Sequence, residues 1–413
     1  MRTRKGYRSL GTLALLGAAA VLLAATGVAR AQVGSDLAAG ILVFPKIAVD
    51  TVGRLTGGIP VDTVVEIANT DPTEIRSLHC FWVNANSYCN GDVDIANLCD
   101  PNSDNPVLNC RETGRRCLPA WRVTDFFVAA TANQPIGFRV GQVPQSALPC
   151  LPGNTNGCAG NDGSINPVED PFTGELKCVE VNDLTNVVPV NRNDFTGTAR
   201  IYRVTPSSVD VRQYNAIGIQ SIADPNAGPN DATTLCLGTD TNGASPVCSA
   251  GAEYASCPST LVVNHFFEGA APFGDGATVN TTLTLVPCTE RIEDTTGVNS
   301  VTGQQVTNAQ LAIVNEFEQR FSSATRVDCY KSMRLSDLDT RPGTTDDGSS
   351  IFSVGVEGSL TGQTRVRGVP GQSPYHGLLG LAEESYSNGF SAAFNVNYDG
   401  VRPAGAGDVI TVP

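Results

Sequence analysis

The sequence contains very little lysine, and this shortage excludes one class of partner. Only four lysines occur among 413 residues, and beyond residue 31 they are Lys46, Lys177 and Lys331. Five of the 27 Lys and Arg residues lie within residues 1–31. The rest of the chain therefore contains 22 basic residues and all 41 Asp and Glu residues. Such an acidic surface repels phosphate backbones and anionic lipid. Nucleic acid is therefore excluded as a partner.

Histidine and tryptophan are also scarce. The chain has three histidines, at positions 79, 265 and 376, and nothing in their spacing predicts a catalytic triad or a zinc site. Ser373 stands in a sequence that begins like a nucleophile elbow, but Tyr375 occupies the position of the second glycine. Of the two tryptophans, Trp82 lies in an apolar run and is predicted to be in the core. The sequence therefore does not favour an aromatic platform for carbohydrate.

Long hydrophobic runs are missing except for one, at the start of the chain. Leu10–Val28 is apolar, basic residues precede it, and Ala29–Ala31 offers small residues around a cleavage site. This arrangement predicts a signal peptide over residues 1–31. The protein is therefore expected to be secreted, extracellular or periplasmic, with no integral membrane span after signal cleavage.

The sequence has thirteen cysteines, and all of them follow the predicted signal peptide. No CxxC or mixed Cys/His metal spacing occurs, so structural disulfides are predicted, mostly within 80–178 and within 236–329. Cys80 and Cys178 are candidate partners because both lie in predicted strands. Cys288 is the candidate partner of Cys329. An odd number of cysteines leaves one thiol free or paired with another chain.

Short β-branched runs separated by Gly, Pro, Asn and Asp predict an all-β fold of two tandem β-sandwich domains, either Ig-like or jelly-roll-like. The predicted strands are 41–44, 63–67, 78–83, 126–128, 197–202, 261–263, 281–286 and 391–396. One segment, 309–321, has apolar residues at helical spacing and predicts a helix by periodicity alone.

An internal duplication competes with that helix. The sequence at 64–69 is echoed at 310–315, and the pattern over 171–180 is echoed in register at 374–383. If the repeat holds, 310–315 is a strand. The predicted organisation is then a first β-sandwich domain over 33–220 with cysteine-rich loops, a Gly/Asn/Pro-rich linker over 221–258 that contains cysteines, and a second β-sandwich domain over 259–413.

Calcium is the candidate cofactor. Asp240 and Asn242 lie in a segment that resembles the opening of a calcium loop, and Asp337 and Asp339 lie in another oxygen-rich loop. Hard cations bind to such oxygens, although Asx-rich turns also form without a metal.

Two classes of function remain. The favoured one is a secreted, non-enzymatic structural, surface or adhesion-type protein with a protein or cell-surface partner and an unknown small-molecule ligand. The alternative is a secreted hydrolase of polysaccharide or peptide, which would use a metal or one of the carboxylate pairs Glu316/Glu318 and Glu383/Glu384.

Overall fold

Regular strands begin directly after the predicted signal segment. The computed structural model describes residues 33–89, 98–99, 117–120, 122–142, 165–166, 168–184, 187–222, 233–238, 252–292, 306–328, 330–339, 350–369, 377–402 and 408–412. Gln32–Pro413 forms one compact unit. Nearly all of its regular structure is β, as the short β-branched runs predict.

The strands of the first half are β1 (Val33–Gly34), β2 (Ile41–Val49), β3 (Val61–Asn69), β4 (Arg76–Asn84), β5 (Ser87–Cys89), β6 (Leu98–Cys99), β7 (Cys117–Pro119), β8 (Arg122–Ala130), β9 (Pro135–Arg139), β10 (Phe172–Val181), β11 (Phe195–Val204), β12 (Val209–Asn215) and β13 (Ile217–Ile219). A 3₁₀ turn spans Val140–Gln142.

The remaining strands are β14 (Thr234–Leu237), β15 (Pro258–Phe266), β16 (Val279–Pro287), β17 (Glu290–Arg291), β18 (Val306–Asn315), β19 (Arg320–Asp328), β20 (Lys331–Arg334), β21 (Thr361–Val369), β22 (Leu378–Tyr386), β23 (Ser391–Asn395), β24 (Asn397–Val401) and β25 (Asp408–Thr411). A 3₁₀ turn spans Leu335–Leu338 and one short helix, α1, spans Val354–Glu357.

Two sheets of the first half share one hydrophobic core. Their strand orders are β1-β13-β2-β10-β4-β8 and β12-β11-β3-β9. In β3, alternate residues from Thr63 to Asn69 are buried, which is the period of a strand with one face on a core. Val65 and Ile67 from this face join Leu42 and Phe44 of β2 in a single cluster. We call these two sheets the first sheet pair.

Two sheets of the second half form a second core. Their strand orders are β19-β18-β21-β15-β24 and β20-β16-β22-β23. Leu261 and Val263 of β15 lie in one cluster with Leu283 and Leu285 of β16. We call these two sheets the second sheet pair.

The strand order of the second sheet pair repeats that of the first. The correspondence follows the order of the strands along the chain. It matches β2 with β15, β3 with β16, β4 with β18, β8 with β19, β9 with β20, β10 with β21, β11 with β22, β12 with β23 and β13 with β24. With this correspondence, β13-β2-β10-β4-β8 matches β24-β15-β21-β18-β19, and β12-β11-β3-β9 matches β23-β22-β16-β20.

The repeat marks predicted from the sequence fall on strands that do not correspond. The 64–69 segment lies in β3 but 310–315 lies in β18, and the second pattern pairs β10 with β22. The proposed alignment is therefore wrong by one strand. Corresponding strands β10 and β21 instead begin within a shared pattern, VEDPFTG at 168–174 and VEGSLTG at 356–362. The hydrophobic pattern of the sequence does not reveal this match, because only two of its seven residues are hydrophobic in both copies.

The helix that periodicity predicts over 309–321 is wrong and the alternative, a strand at 310–315, is confirmed, because this segment is a β-hairpin. β18 and β19 pair antiparallel, and Glu318 adopts a positive φ of 61° in the connecting turn. Leu311 is in the core, whereas Phe317 in the turn is exposed. The helical spacing arises by chance where a buried strand ends and a turn begins.

The segment predicted as a linker contains a strand. β14 pairs with β25, and β25 also pairs with β17, in a three-stranded sheet. Leu235 and Cys236 of β14 are fully buried. A four-residue strand between turn-rich flanks gives too short a hydrophobic signal to be read from sequence.

A further small sheet has the order β6-β5-β7.

Candidate functional site

A cavity of about 610 Å³ lies between the first and second sheet pairs. This volume is within the range of pockets for drug-sized ligands. One wall comes from β2 and the turn after it, from β3, β10, β11 and β12, and from the small strands β5 and β6 with the residues just before β5. The other wall comes from β16, β19, β20 and β22. The cavity therefore exists only because the two sheet pairs pack together.

Most of the second wall belongs to the sheet β20-β16-β22-β23, and Arg326 of β19 adds to it. On β22, Ala382 points into the core of the second sheet pair, whereas its neighbour Leu381 belongs to the core cluster of the first pair. Successive side chains of a strand alternate between faces. Glu383 consequently shares the face of Leu381 and points toward the first sheet pair.

Glu383 is the centre of an ion-pair network at this contact. Its side chain is 1% exposed, and it accepts hydrogen bonds from Lys46 Nζ of β2 and, at 2.9 Å, from Arg212 Nη1 of β12. Lys46 Nζ also lies 3.4 Å from Ser332 Oγ. Burial alone would raise the pKa of Glu383, but the two cations outweigh it and hold that pKa below its usual value.

The cavity is lined by many more basic than acidic side chains. Among the described residues, six basic side chains line the cavity, three from each sheet pair: Lys46, Arg203, Arg212, Arg326, Lys331 and Arg334. Asp50 is the one acidic residue among the described lining residues. Both Asp50 carboxylate oxygens accept backbone hydrogen bonds, from Arg54 N at 2.7 Å and Leu55 N at 2.6 Å.

Neither described histidine lies at the cavity. His79 Nε2 is 3.0 Å from Asp125 Oδ2, its ring stacks on Phe127, and burial lowers its pKa. The His265 Nδ1 donates to the Phe266 carbonyl at 3.1 Å, and its Nε2 lies 2.8 Å from Thr364 Oγ1. Burial lowers the pKa of His265 to about 4.

The carboxylate pairs proposed for hydrolysis do not face each other across the cavity. Glu383 and Glu384 point to opposite faces of β22, and Glu384 accepts a hydrogen bond from the Tyr386 hydroxyl at 2.6 Å. Glu316 accepts one from Thr361 Oγ1 at 2.6 Å, and Glu318 lies in the exposed β18–β19 turn.

The calcium candidates are only partly within the described residues. Asp240 and Asn242 lie outside them. Asp337 belongs to the 3₁₀ turn, and Asp339 is buried just after it and accepts a hydrogen bond from Ile351 N at 2.9 Å. Within the described ranges, no group of three or more His, Cys, Asp or Glu side chains is placed to hold a metal.

Six cysteines have described side chains, and all six are disulfide-bonded: Cys80, Cys99, Cys178, Cys236, Cys257 and Cys288. Cys80 is joined to Cys178, the partner that the strand positions suggest, since the two lie opposite each other on β4 and β10.

The predicted Cys288–Cys329 bridge is wrong. Cys288 is bonded to Cys257, with the two Cα atoms 6.0 Å apart, and Cys329 lies outside the described residues. Cys257 falls within the predicted linker 221–258, but β15 begins at the next residue, and this brings Cys257 beside the end of β16. A Cβ on Gly377 would lie 2.7 Å from the Cys257 Cβ, so a side chain there would clash with this disulfide.

Sequence reasoning missed the basic cavity, although one signal was available. Two of the three lysines beyond residue 31, Lys46 and Lys331, line it. Among the described residues, no helix has the length and apolar character needed to cross a membrane. No protein-family model matches the chain, and no curated protein matches it.

Proposed function

We propose that this protein is a secreted, non-enzymatic surface or adhesion-type protein built from two β-sandwich domains that arose by duplication. The domains are 33–220 and 259–413, and 221–258 connects them. The disulfide-bonded, nearly all-β structure supports this reading, as does the signal-like segment at 1–31. Disulfides persist in oxidising compartments outside the cytosol.

The observation that carries the proposal is how three groups considered for catalysis or located at the cavity, Glu383, His265 and Asp50, are used. Glu383 is held in its charged form by two cations, whereas a general acid requires a raised pKa. His265 is held neutral, with contacts to both ring nitrogens. Asp50 accepts hydrogen bonds from the turn that follows β2. Each group therefore stabilises the structure around it.

A repeated side-chain arrangement supports the duplication. Asn84, at the end of β4, is opposite Gly174, and its amide donates to Glu169. Asn315, at the end of the corresponding strand β18, is opposite Gly362, and its amide donates to Glu357 at 3.1 Å. In both copies the glutamate precedes the glycine by five residues.

The backbone around the two asparagines also matches. Asn84 Oδ1 accepts a hydrogen bond from the N–H two residues later, at 2.8 Å, and Asn315 Oδ1 does the same at 3.0 Å. Two independent sandwiches of the same topology have no physical need to share this detail. Common descent from one ancestral domain accounts for it.

Cell fractionation and activity assays test the proposal together. Expressed with its own leader, the protein should be recovered outside the cytosol, with its N-terminus at Gln32. It should release neither reducing sugar from polysaccharides nor amines from proteins. Substrate turnover that disappears in Glu383→Gln but persists in Glu384→Gln would identify a hydrolase and refute the non-enzymatic proposal.

A further inference from the structure

We infer that the turn end of the β22–β23 hairpin is a binding site for an exposed arginine side chain of a partner protein. The guanidinium group would stack on the aromatic rings at this end and donate hydrogen bonds to the carboxylates beside them. The inference rests on the proposed function in one respect, because it names the chemistry of the partner that an adhesion-type protein would meet.

Three aromatic side chains lie at this end of the second sheet pair, and we call them the aromatic site. The Phe273 ring, in the β15–β16 loop, lies 5.5 Å from the Tyr386 ring of β22, measured between centroids. Tyr386 N donates to the Phe390 carbonyl at 2.8 Å, so these two residues are opposite each other and their side chains share one face of the hairpin. Phe273 is 54% exposed and Phe390 is 69% exposed. Neighbouring large apolar side chains that are exposed in this way mark interaction sites.

The aromatic site continues the core face of its sheet into solvent. Ala382 of β22 is opposite Phe394 of β23, and both lie in or against the core of the second sheet pair. Glu384 and Tyr386 follow Ala382 by two and four residues, so their side chains are on the same face. This face therefore carries a carboxylate and aromatic rings at the point where it leaves the core.

Two carboxylates without a cationic partner accompany the rings. The Tyr386 hydroxyl donates to Glu384 Oε2 at 2.6 Å. Asp275, two residues after Phe273, accepts a hydrogen bond at 3.3 Å from Asn388 Nδ2 in the hairpin turn. Among the described residues, no lysine, arginine or histidine forms an ion pair with either carboxylate. The aromatic site is therefore negatively charged and attracts a cation.

Arginine matches both the rings and the carboxylates. Its guanidinium is planar, stacks on aromatic faces and is more weakly hydrated than an ammonium group. Its N–H donors also match carboxylate oxygens, and within the described part of the chain no hydrogen bond reaches Glu384 Oε1. A trimethylammonium group would stack on the rings but has no N–H to donate. The combination of rings and carboxylates thus favours arginine.

Backbone and side-chain hydrogen bonds hold the loop of Phe273 against the hairpin turn. Thr278 N donates to Ser387 Oγ at 3.0 Å, and Ser387 N donates to the Thr278 carbonyl at 2.8 Å. The contact between Asp275 and Asn388 joins the same loop to the same turn. Gly389 has a φ of 93°, which closes this turn. A site that is ordered before binding loses less entropy when a partner arrives.

Titration calorimetry of the mature, oxidised protein tests the inference with three glycine-rich peptides of equal length. They carry two arginines, two lysines or two citrullines at the same positions. The arginine peptide should bind at least threefold more tightly than the lysine peptide, which has the same charge. It should bind at least tenfold more tightly than the citrulline peptide, which has a similar shape and no charge. Equal affinity for arginine and lysine, or no detectable binding of the arginine peptide, would overturn the inference.

Phenylalanines in two hairpin turns provide a matched pair of variants. Phe390→Ala should weaken the binding of the arginine peptide at least threefold, because it removes a ring from the aromatic site. Phe317→Ala removes a ring that is 63% exposed in the β18–β19 turn and should leave the affinity unchanged. An equal loss in both variants, or no loss in either, would contradict the assignment.

Two charge variants separate the aromatic site from the general acidity of the protein. Glu384→Gln retains an acceptor for the Tyr386 hydroxyl but removes the charge, so the affinity for the arginine peptide should fall at least fivefold. Glu318→Gln, in the exposed β18–β19 turn, changes the net charge by the same amount and should alter the affinity by less than twofold. Equal losses would show that net charge alone attracts the peptide, and would overturn the inference.

A membrane surface is the competing occupant, and vesicles of phosphatidylcholine are the probe for it. We expect no binding to them. Vesicle binding that Phe390→Ala abolishes and that the arginine peptide does not displace would assign the aromatic site to lipid and overturn the inference. None of these assays measures export or hydrolysis, so failure here is distinguishable from failure of the proposed function.

Discussion

At the scale of single residues, Glu383 shows how a buried charge joins two parts of this molecule. Its two cationic partners come from the other sheet pair and are themselves mostly buried, with 15% and 18% of their side chains exposed. Removing one member of a buried ion pair leaves the others uncompensated. The network is therefore expected to be costly to break at any one position.

We expect Glu383→Gln to destabilise the protein by about 3 kcal/mol at pH 7, because Lys46 and Arg212 lose their counter-charge. Glu384→Gln changes the neighbouring residue on the opposite face of β22 and should change the free energy of unfolding by less than about 0.5 kcal/mol. Urea unfolding of both variants measures the difference. Similar values for the two would show that the buried network contributes little.

The stability difference between wild type and Glu383→Gln should depend on pH. The folded pKa of Glu383 is lowered, so its contribution to stability is present above the unfolded pKa near 4.5 and is lost as the pH falls toward the folded value. The advantage of wild type over Glu383→Gln should therefore shrink below about pH 4.5. A difference that stays constant from pH 7 to pH 3 would contradict this linkage.

Glu180 is expected to have the opposite pH dependence. Burial, followed by the charge of Asp194, raises its pKa to about 9. Its contribution to stability is thus complete below pH 4.5 and is lost as the pH rises toward 9. Glu180→Gln imitates the protonated acid and should be more stable than wild type by about 2–4 kcal/mol at pH 8.5, with little difference at pH 4. Glu66→Gln, at a more exposed site, is the control in urea unfolding at both pH values.

At the scale of elements, eight of the strands were predictable, but the correspondence between the strands of the two halves was not. Runs such as 41–44 and 281–286 are strands in the structure because β-branched side chains pack well on a pleated surface. The 309–321 segment misled because periodicity cannot distinguish a helix from a buried strand followed by a turn. The basic cavity could not be predicted, since its cations come from five strands that only the tertiary fold brings together.

The pairing of corresponding strands suggests a test of the disulfide. In the first sheet pair Cys80 is opposite Cys178; at the corresponding register in the second pair, Leu311 is opposite Val366. The free energy of unfolding should fall by about 3–5 kcal/mol in Cys80→Ser/Cys178→Ser, because the bridge closes a long loop and the new hydroxyls would be buried. Cys80→Leu/Cys178→Val should lose less, since the second sheet pair already uses those residues there. Urea midpoints rank the variants, and an equal loss in both would argue against corresponding packing.

At the scale of the whole molecule, the two sheet pairs are joined by more than the linker. Leu381 of the second pair lies in the core cluster of the first. The corresponding strands β12 and β23 are also joined by side chains: Asn395 Oδ1 accepts from Asn215 N at 3.0 Å, and its amide donates to the Asn215 carbonyl at 2.7 Å. A shared core and a shared ion-pair network both favour one cooperative unit.

We therefore expect a single transition in scanning calorimetry, with equal calorimetric and van't Hoff enthalpies. Two variants test this: Ile47→Ala in the core of the first sheet pair and Leu311→Ala in the core of the second. Each should lower the midpoint temperature of that one transition and reduce the free energy of unfolding by about 2–5 kcal/mol. If the sheet pairs unfolded independently, each variant would shift only one of two transitions and leave the other in place. Leu381→Ala distinguishes the two cases further. Leu381 belongs to the second sheet pair, but its side chain packs in the core of the first. In a cooperative molecule, Leu381→Ala should lower the midpoint of the single transition. If the sheet pairs unfolded independently, it would lower the midpoint for the first sheet pair, although the substituted residue is in the second.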